Sequence, residues 1–513
     1  MKVVFALFDS VNRKALAPYG GKVVATPNFS RLAQRAVTFD HHYVGSLPCM
    51  PARRDLMTGR LSFLHRSWGP LEPFDNAFPE LLAKAGVYSH LISDHCHYWR
   101  DGGATYHTRY DTFEFIRGQE KDAWKAMVQP PWERLREKYH AMQFSDQRRD
   151  KLANNIINRE MSGDDDDAFP SVRCFNAALD FLETNGSADD WFLQIETFDP
   201  HEPFEAPARY RDAYPTNYAG PILDWPRYAK VSEHPDECAE LRANYCAVLA
   251  LCDAQLGRLL DAFDSQDLWR DTALIVSTDH GFLLGEHDWW AKNRMHCYEE
   301  VSHIPLLVYH PAFQKAGGQR RQALTQTIDL MPTLMDCFGT ELPAETQGLS
   351  LLPVLEEDQQ RREAALFGYF GGAVNLTDGR YTYFRYPADL ASQEVYQYTM
   401  MPTHLNAPFT PEELATATLA PAFGFSKGVP LLKVPVIENS PMYRNYGPGS
   451  LLEKDTVMFD LEADPDQLSP VTDSALEQQL ERTMVDLMAD NEAPPEAFSR
   501  LGIEPPTVAP AAE

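Results

Sequence analysis

The segment "TALIVSTDHG", residues 272–281, is an apolar run that ends in a carboxylate and an imidazole. A short run rich in β-branched residues predicts a strand buried on both faces, as in parallel sheets. Similar runs recur along the chain, with amphipathic helical patterns between them. This alternation predicts an α/β fold with a large mixed, mostly parallel sheet sandwiched by helices. The predicted strands are 3–8, 89–93, 191–197, 272–277 and 304–310, and the predicted helices are 78–86, 171–186 and 241–263.

The residue pattern of the sequence changes after about residue 360. The stretch "LFGYFGGAVNLTDGRYTYFRYP" (366–387) alternates aromatic residues with turn signals, which predicts antiparallel hairpins. An amphipathic helix is expected over 473–491, and the proline-rich last twenty residues read as an irregular tail. We therefore predict an α/β domain over 1–360 and a smaller C-terminal α+β subdomain with an antiparallel sheet over 361–513.

The composition excludes several classes of partner. The 513 residues carry a net charge of −28, so neither nucleic acid nor an anionic membrane would be attracted to the surface. No run approaches the roughly 20 apolar residues of a membrane span. The eight cysteines form no CxxC pair, and their scatter suits reduced thiols in a cytoplasm. We expect a soluble cytoplasmic protein, with homo-oligomer formation left open.

An acidic run, Asp164–Asp167, admits two interpretations. It could be a metal-binding loop. The favoured alternative is a solvated loop that leads into a helix beginning near Pro170, because acidic side chains stabilise the N-terminal end of a helix and proline suits its first turn.

Polar side chains follow four of the predicted strands. Ligands of open parallel sheets bind beyond the carboxyl ends of the strands, so these side chains should meet at one edge. Carboxylates and imidazoles together are the ligands of a divalent cation. The residues concerned are Asp9 and Ser10; Asp94, His95, Cys96 and His97; Asp199 and His201; and Asp279 and His280, with His287 and Lys292 a little further on.

The stretch "SLPCMPARRDLMTGR" (46–60) contains an isolated cysteine between two prolines. A helix is expected over 52–59, ended by Gly59, which puts Cys49 at the helix N-terminus. Free amides and the helix dipole favour an anion there and should lower the pKa of a thiol. Arg53 lies one helical turn after Cys49, where its side chain can reach back towards Cys49. The alternative interpretation is a small buried residue that caps a helix.

Residues Cys49 to Arg53 also form the pattern C-x-P-x-R. This resembles the formylglycine-forming site of type I sulfatases, in the alkaline phosphatase superfamily. Three other stretches resemble blocks of that family, so the resemblance spans nearly the whole chain. They are "LFDSVNRKALAPYGG" (7–21), "TDHGFLLGEHDWWAKN" (278–293) and "MFDLEADPDQLSPV" (458–471).

The resemblance implies an alkaline phosphatase-like fold and a defined chemistry. A separate maturation enzyme would oxidise Cys49 to formylglycine, whose hydrate attacks sulfur and expels the alcohol. The remaining hydroxyl, once deprotonated, collapses to the aldehyde and releases sulfate. One divalent cation, Ca²⁺ by preference and Mn²⁺ as the alternative, would act as Lewis acid and template. The substrate would be a small-molecule or saccharide sulfate ester.

The resemblance also implies roles for individual residues. Arg53 would hold the diol and the anion, and His97 would be the base that drives elimination. His201 would contact the ester and protonate the leaving oxygen. The metal ligands would be Asp9, Cys49, Asp279 and His280, and the sulfate-binding residues would be His95, Arg53 and Lys292.

Two positions depart from the family pattern. Ser10 stands where most sulfatases have a second aspartate, and His95 stands where most have a lysine. Both differences resemble hydrolases of phosphonate monoesters and phosphodiesters that share the aldehyde nucleophile. The sequence therefore predicts a sulfatase, with such a hydrolase as the second candidate. A non-catalytic protein that binds anions or metal is the third.

Overall fold

The computed structural model describes residues 1–144, 151–163, 165–390, 393–438, 440, 443 and 448–506. Among these residues, eight strands form one large sheet. The predicted strands 3–8, 89–93, 191–197, 272–277 and 304–310 are all confirmed as members of it. The spatial order is Arg320–Arg321, Val37–Phe39, Leu306–Tyr309, Thr272–Thr278, Lys2–Phe8, Trp191–Thr197, Tyr88–Ser93 and Thr112–Phe115.

The sheet is mixed, as predicted, because the strand Leu306–Tyr309 runs antiparallel to both of its neighbours. Leu306 pairs with Ser277, so the chain returns to the sheet beside the C-terminal end of the strand Thr272–Thr278 that it has just left. A parallel neighbour would need a crossover back to the N-terminal end of that strand, and the chain makes none here. The apolar character of a buried strand is the same in either direction, which is why the sequence did not reveal this reversal.

Helices cover both faces of the sheet. Alternate side chains of Lys2–Phe8 enter two separate cores, with Val4 and Ala6 in one and Val3 and Phe5 in the other. The first core is completed by helices Pro27–Ala33, Pro170–Asn185 and Pro235–Ser265. The second is completed by helices Cys49–Thr58, Phe78–Lys84, Leu330–Cys337 and Leu352–Glu357. The other described helices are Ala104–His107, Trp132–Lys138, Lys151–Ser162, Ala208–Arg211, Glu299–Ser302, Pro411–Ala415, Ser474–Asp490 and Pro495–Ser499.

The C-terminal part contains the predicted antiparallel hairpins. Four strands pair antiparallel, and the short strand Ser46–Leu47 adds to their edge in parallel with Gly368 and Tyr369. The strand that leads into the Cys49 helix therefore belongs to this sheet. The four are Val457–Asp460, Tyr381–Arg385, Val374–Thr377 and Ala365–Tyr369, and a second sheet contains Tyr396–Thr399, Leu431–Pro435 and Thr418–Ala420.

Three smaller expectations have different outcomes. The tail prediction is wrong for Pro495–Ser499, which forms a helix whose first residue is a proline, while residues 507–513 lie outside the described part. Asp164 also lies outside it. Asp165 caps the short helical turn Asp166–Ala168, and the next helix begins at Pro170. This agrees with the interpretation of the acidic run as a solvated loop that leads into a helix. None of the described helices has both the length and the apolar character needed to cross a membrane.

Candidate active site

Four groups predicted as metal ligands meet at the carboxyl edge of the sheet. Asp9 and Asp279 follow two neighbouring strands, so their carboxylates face each other. The donor atoms of Asp9, Cys49, Asp279 and His280 all lie within 4.8 Å of one another, and all four side chains are buried. We call these four residues the edge cluster.

Arg53 forms hydrogen bonds with both carboxylates of the edge cluster. Its Nη2 donates to Asp9 Oδ2 at 3.0 Å and its Nη1 to Asp279 Oδ2 at 2.7 Å. Its Nε donates to Glu196 Oε1 at 2.5 Å, and Nη1 also reaches back to the carbonyl oxygen of Cys49. Every nitrogen of the guanidinium is thus engaged by the protein.

The charges of the edge cluster suit a bound cation. Burial together with Asp9 raises the pKa of Asp279. Burial opposes ionisation of Asp9 as well, but Lys292, His95 and Arg53 hold its pKa well below the usual range. A divalent cation would relieve the repulsion between the two carboxylates. His280 fits too: its Nδ1 lies 3.0 Å from the Gly281 carbonyl oxygen, which leaves the Nε2 lone pair directed at the cluster.

Cys49 is the first residue of the helix Cys49–Thr58, which ends at Gly59 as predicted. Its Sγ lies 3.2 Å from His280 Nε2 and 3.6 Å from Lys292 Nζ. The expectation of a lowered thiol pKa is wrong. Burial and the charge of Asp9 raise the pKa of Cys49 well above its usual value, against the opposing effect of Lys292 and Arg53.

Lys292 and Ser10 complete the surroundings of the edge cluster. Lys292 Nζ donates to Ser10 Oγ at 2.8 Å and to His280 Nε2 at 3.2 Å. The Ser10 hydroxyl donates to Asp9 Oδ1 at 2.7 Å. Ser10 therefore links the lysine ammonium to the carboxylate of a predicted metal ligand through two hydrogen bonds.

The three predicted site histidines outside the edge cluster lie at different depths. His95 is fully buried, accepts at Nδ1 from the backbone N–H of His97, and directs Nε2 towards Asp9 Oδ2 at 3.6 Å. His97 and His201 line a cavity in front of Cys49. His201 Nδ1 lies 2.6 Å from the carbonyl oxygen of Glu202, and burial lowers the pKa of both cavity histidines.

The cavity has a volume of about 300 Å³ and opens towards solvent from Cys49. Its walls combine aromatic side chains with groups of both charges. The aromatic residues are Trp68, Trp225 and Tyr228, the cationic ones are Lys121, Arg227, Lys292 and Arg294, and the acidic ones are Glu120 and Glu202.

Two site residues were missed by sequence reasoning. Glu196 accepts from Arg53 and from the Tyr98 hydroxyl. A carboxylate inside the apolar run "WFLQIET" was the signal that could have found it, since a buried acid requires a partner. Glu120 lines the cavity from a loop, and it lies in no strand or motif that the sequence analysis singled out.

A family model described as "Sulfatase" matches residues 2–340. The chain belongs to the sulfatase family. A second model, "N-sulphoglucosamine sulphohydrolase, C-terminal", matches residues 285–418. The resemblance to sulfatases that residues 49–53 and the other blocks indicated is confirmed. The protein is a sulfuric ester hydrolase with an alkaline phosphatase-like fold.

Individual relatives resemble the chain over most of its length. The N-acetylglucosamine-6-O-sulfatase of Bacteroides thetaiotaomicron is 25% identical over 89% of this chain and 88% of its own. A multifunctional alkaline phosphatase superfamily protein of Trinickia caryophylli is 26% identical over 65% and 71%.

Solved structures show the same fold. One, in complex with its substrate D-glucosamine-2-N,6-O-disulfate, superposes with a TM-score of 0.64 at 16% identity, over 97% of this chain and 99% of that one. The phosphonate monoester hydrolase of Agrobacterium radiobacter gives a TM-score of 0.61 at 18% identity, over 96% and 95%.

Proposed function

We propose that this sulfatase hydrolyses a saccharide sulfate ester with a formylglycine made from Cys49 and one divalent cation. The observation that carries the proposal is the position of Cys49. It begins a helix, belongs to the edge cluster, and faces the cavity beside Lys292. The aromatic cavity walls suit a sugar ring. A similar N-acetylglucosamine-6-O-sulfatase and a similar structure solved with D-glucosamine-2-N,6-O-disulfate both indicate a sulfated glucosamine.

Asp9, Asp279, His280 and the modified side chain of Cys49 would hold the cation. Carboxylate oxygens favour Ca²⁺, and the imidazole keeps Mn²⁺ as an alternative. The bound ion would neutralise charge on the ester group and on the nucleophile. The contacts of Arg53 favour a role in fixing the two carboxylates, since its nitrogens are engaged by the protein.

The formylglycine hydrate would supply the nucleophile for sulfuryl transfer. Lys292 lies next to Cys49 and would hold a sulfate oxygen. Burial lowers the pKa of His97, which favours the neutral imidazole, and the lone pair of that ring would accept a proton in the cavity. His201 donates from Nδ1 to the carbonyl oxygen of Glu202, which leaves Nε2 for the ester. To protonate the leaving oxygen, Nε2 would first take up a proton, so that His201 acts from the imidazolium form. His95 would act through Asp9, which it faces.

Mass spectrometry of the peptide containing Cys49 tests the nucleophile. In active protein made together with its maturation enzyme, the peptide should have lost sulfur and gained an aldehyde. The Cys49→Ala variant should fold and be inactive, because alanine fits at the start of a helix. Full activity with an unmodified thiol would contradict the proposal.

A substrate panel tests the ester class. Ser10 removes one negative charge and a neutral His95 removes one positive charge, so the net charge of the site stays near that of a common sulfatase. Such a site suits a singly charged sulfate monoester better than a phosphate monoester, which carries about two charges near neutral pH. We expect kcat/KM to be highest for an aryl sulfate among matched aryl sulfate, phosphonate and phosphate substrates.

The alternative function is hydrolysis of phosphonate monoesters or phosphodiesters. Ser10 and His95 favour it, and phosphonate monoester hydrolases share the fold. Such substrates also carry one charge, so some activity towards them should appear. A phosphonate monoester far ahead of the sulfate would make this the main function, and a phosphate monoester as best substrate would refute the charge argument.

The cellular location proposed from the sequence is the cytoplasm. All eight cysteines are free thiols, which suits a reducing compartment. Fractionation of the native host with marker enzymes would decide this, and activity confined to a secreted fraction would contradict it.

A further inference from the structure

A second buried group of metal-binding side chains lies beside the edge cluster. Among the described residues, the donor atoms of Cys96, His97 and Glu120 lie within 4.8 Å of one another. Cys96 Sγ is 3.6 Å from His97 Nδ1 and 3.3 Å from Glu120 Oε2. Zinc bonds of about 2.0–2.3 Å in a tetrahedron place ligand atoms roughly 3.3–3.7 Å apart. We propose that Cys96, His97 and Glu120 form an inhibitory zinc site.

The donor set selects the class of ion. A thiolate and an imidazole favour Zn²⁺ and other thiophilic divalent cations, whereas Ca²⁺ takes oxygen ligands. One thiolate and one carboxylate together cancel the charge of the ion, so the filled site is neutral. Neutrality matters because Cys96 is completely buried, and His97 and Glu120 are each more than nine-tenths buried.

The cavity gives the ion a way in. His97 and Glu120 line it, and Cys96 lies directly behind them. Lys121 Nζ is 3.2 Å from Glu120 Oε1, so the other carboxylate oxygen, Oε2, remains directed at the thiol. Binding forms bonds from zinc to Sγ, Nδ1 and Oε2, releases the thiol proton to solvent, and leaves the fourth position to cavity water.

The consequence for activity rests on the proposed function, in which His97 accepts a proton. Coordination at Nδ1 leaves the ring proton on Nε2, so the imidazole has no lone pair to offer. Zinc at this site therefore switches off the base without touching the edge cluster. Because both sites take divalent cations, the experiment must separate them.

Cobalt titration of the full chain in the Cys49→Ala background, with excess Ca²⁺ to fill the edge cluster, tests binding directly. We expect one equivalent of Co²⁺ to give a thiolate-to-cobalt charge-transfer band. Cys96→Ser should abolish the band, Glu120→Gln should weaken binding about 100-fold, and the matched control Cys246→Ser should leave it unchanged. Absence of the band, or its persistence after Cys96→Ser, would overturn the site. Glu120→Gln decides the matter if Cys96→Ser fails to fold.

Inhibition of the mature enzyme tests the second half of the proposal. With Ca²⁺ in excess, Zn²⁺ should lower kcat/KM for an aryl sulfate at least tenfold, and Cys96→Ser should relieve this. Undiminished inhibition of Cys96→Ser would place zinc at the edge cluster and refute the inhibitory role. If the matured chain hydrolyses no sulfate ester, the proposed function fails, while the cobalt titration still decides whether the site exists.

Discussion

Three buried carboxylates, those of Asp9, Glu196 and Asp279, converge on the buried guanidinium of Arg53. Removing one partner of a buried ion pair leaves the others uncompensated and costs about 3–5 kcal/mol. Arg53→Met should therefore lower the free energy of unfolding by about that much, measured by urea denaturation. The control is Arg31→Met, whose partners Asp261 and Asp264 are exposed, and we expect a change within about 1 kcal/mol. Equal losses in the two variants would show that burial of Arg53 has no special consequence.

Asp279 is one of the four proposed metal ligands of the edge cluster. Asp279→Asn keeps the shape of the side chain and removes its charge, so we expect stoichiometric metal and activity to be lost together. Metal content is measured on protein dialysed against low Ca²⁺. Asp253→Asn, at a buried aspartate that caps the helix Pro27–Ala33, should keep its metal. A metal-replete Asp279→Asn protein would disprove the ligand assignment.

At the scale of elements, the sequence predicted well wherever a pattern is local. The apolar runs gave five strands of the sheet, and Gly59 ends the Cys49 helix as predicted, although this helix begins three residues before the predicted start at residue 52. Two features needed tertiary contacts to be seen. The reversed direction of Leu306–Tyr309 depends on where the chain re-enters the sheet. The raised thiol pKa of Cys49 depends on burial and on Asp9, which outweigh the opposing effect of Lys292 and Arg53.

Gly59, which ends the Cys49 helix, and Gly339, which lies just beyond the helix Leu330–Cys337, form a matched pair of glycines. Gly59 has φ +65° and Gly339 has φ +64°, a conformation that costs other residues about 1–2 kcal/mol. A Cβ at Gly59 would lie 3.0 Å from Thr346 Cγ2 and 3.3 Å from Met331 Sδ, whereas one at Gly339 would meet nothing within 4 Å. Gly59→Ala should therefore destabilise the protein more than Gly339→Ala, measured by thermal unfolding. Equal shifts would mean that the neighbours of Gly59 yield freely.

At the scale of the whole molecule, the two parts of the chain share structure around the nucleophile. The short strand before Cys49, Ser46–Leu47, pairs with the C-terminal strand Ala365–Tyr369. Just after the helix, Leu61 and Phe63 pack in one core with Met484 and other residues of the C-terminal part. The boundary at 360 stays a prediction, and these contacts argue that residues 1–360 depend on the rest.

A chain ending at residue 360 tests that dependence. It should lose the partner of Ser46–Leu47 and expose Leu61 and Phe63, so the segment carrying Cys49 would no longer be held from both ends. We expect the shortened protein to bind a hydrophobic dye, to unfold at a lower temperature without a single cooperative transition, and to be inactive after maturation. Supplying residues 361–513 as a separate chain should restore part of the cooperativity if the shared core is the cause. A shortened protein that unfolds cooperatively near the temperature of the full chain would instead establish residues 1–360 as an independent domain.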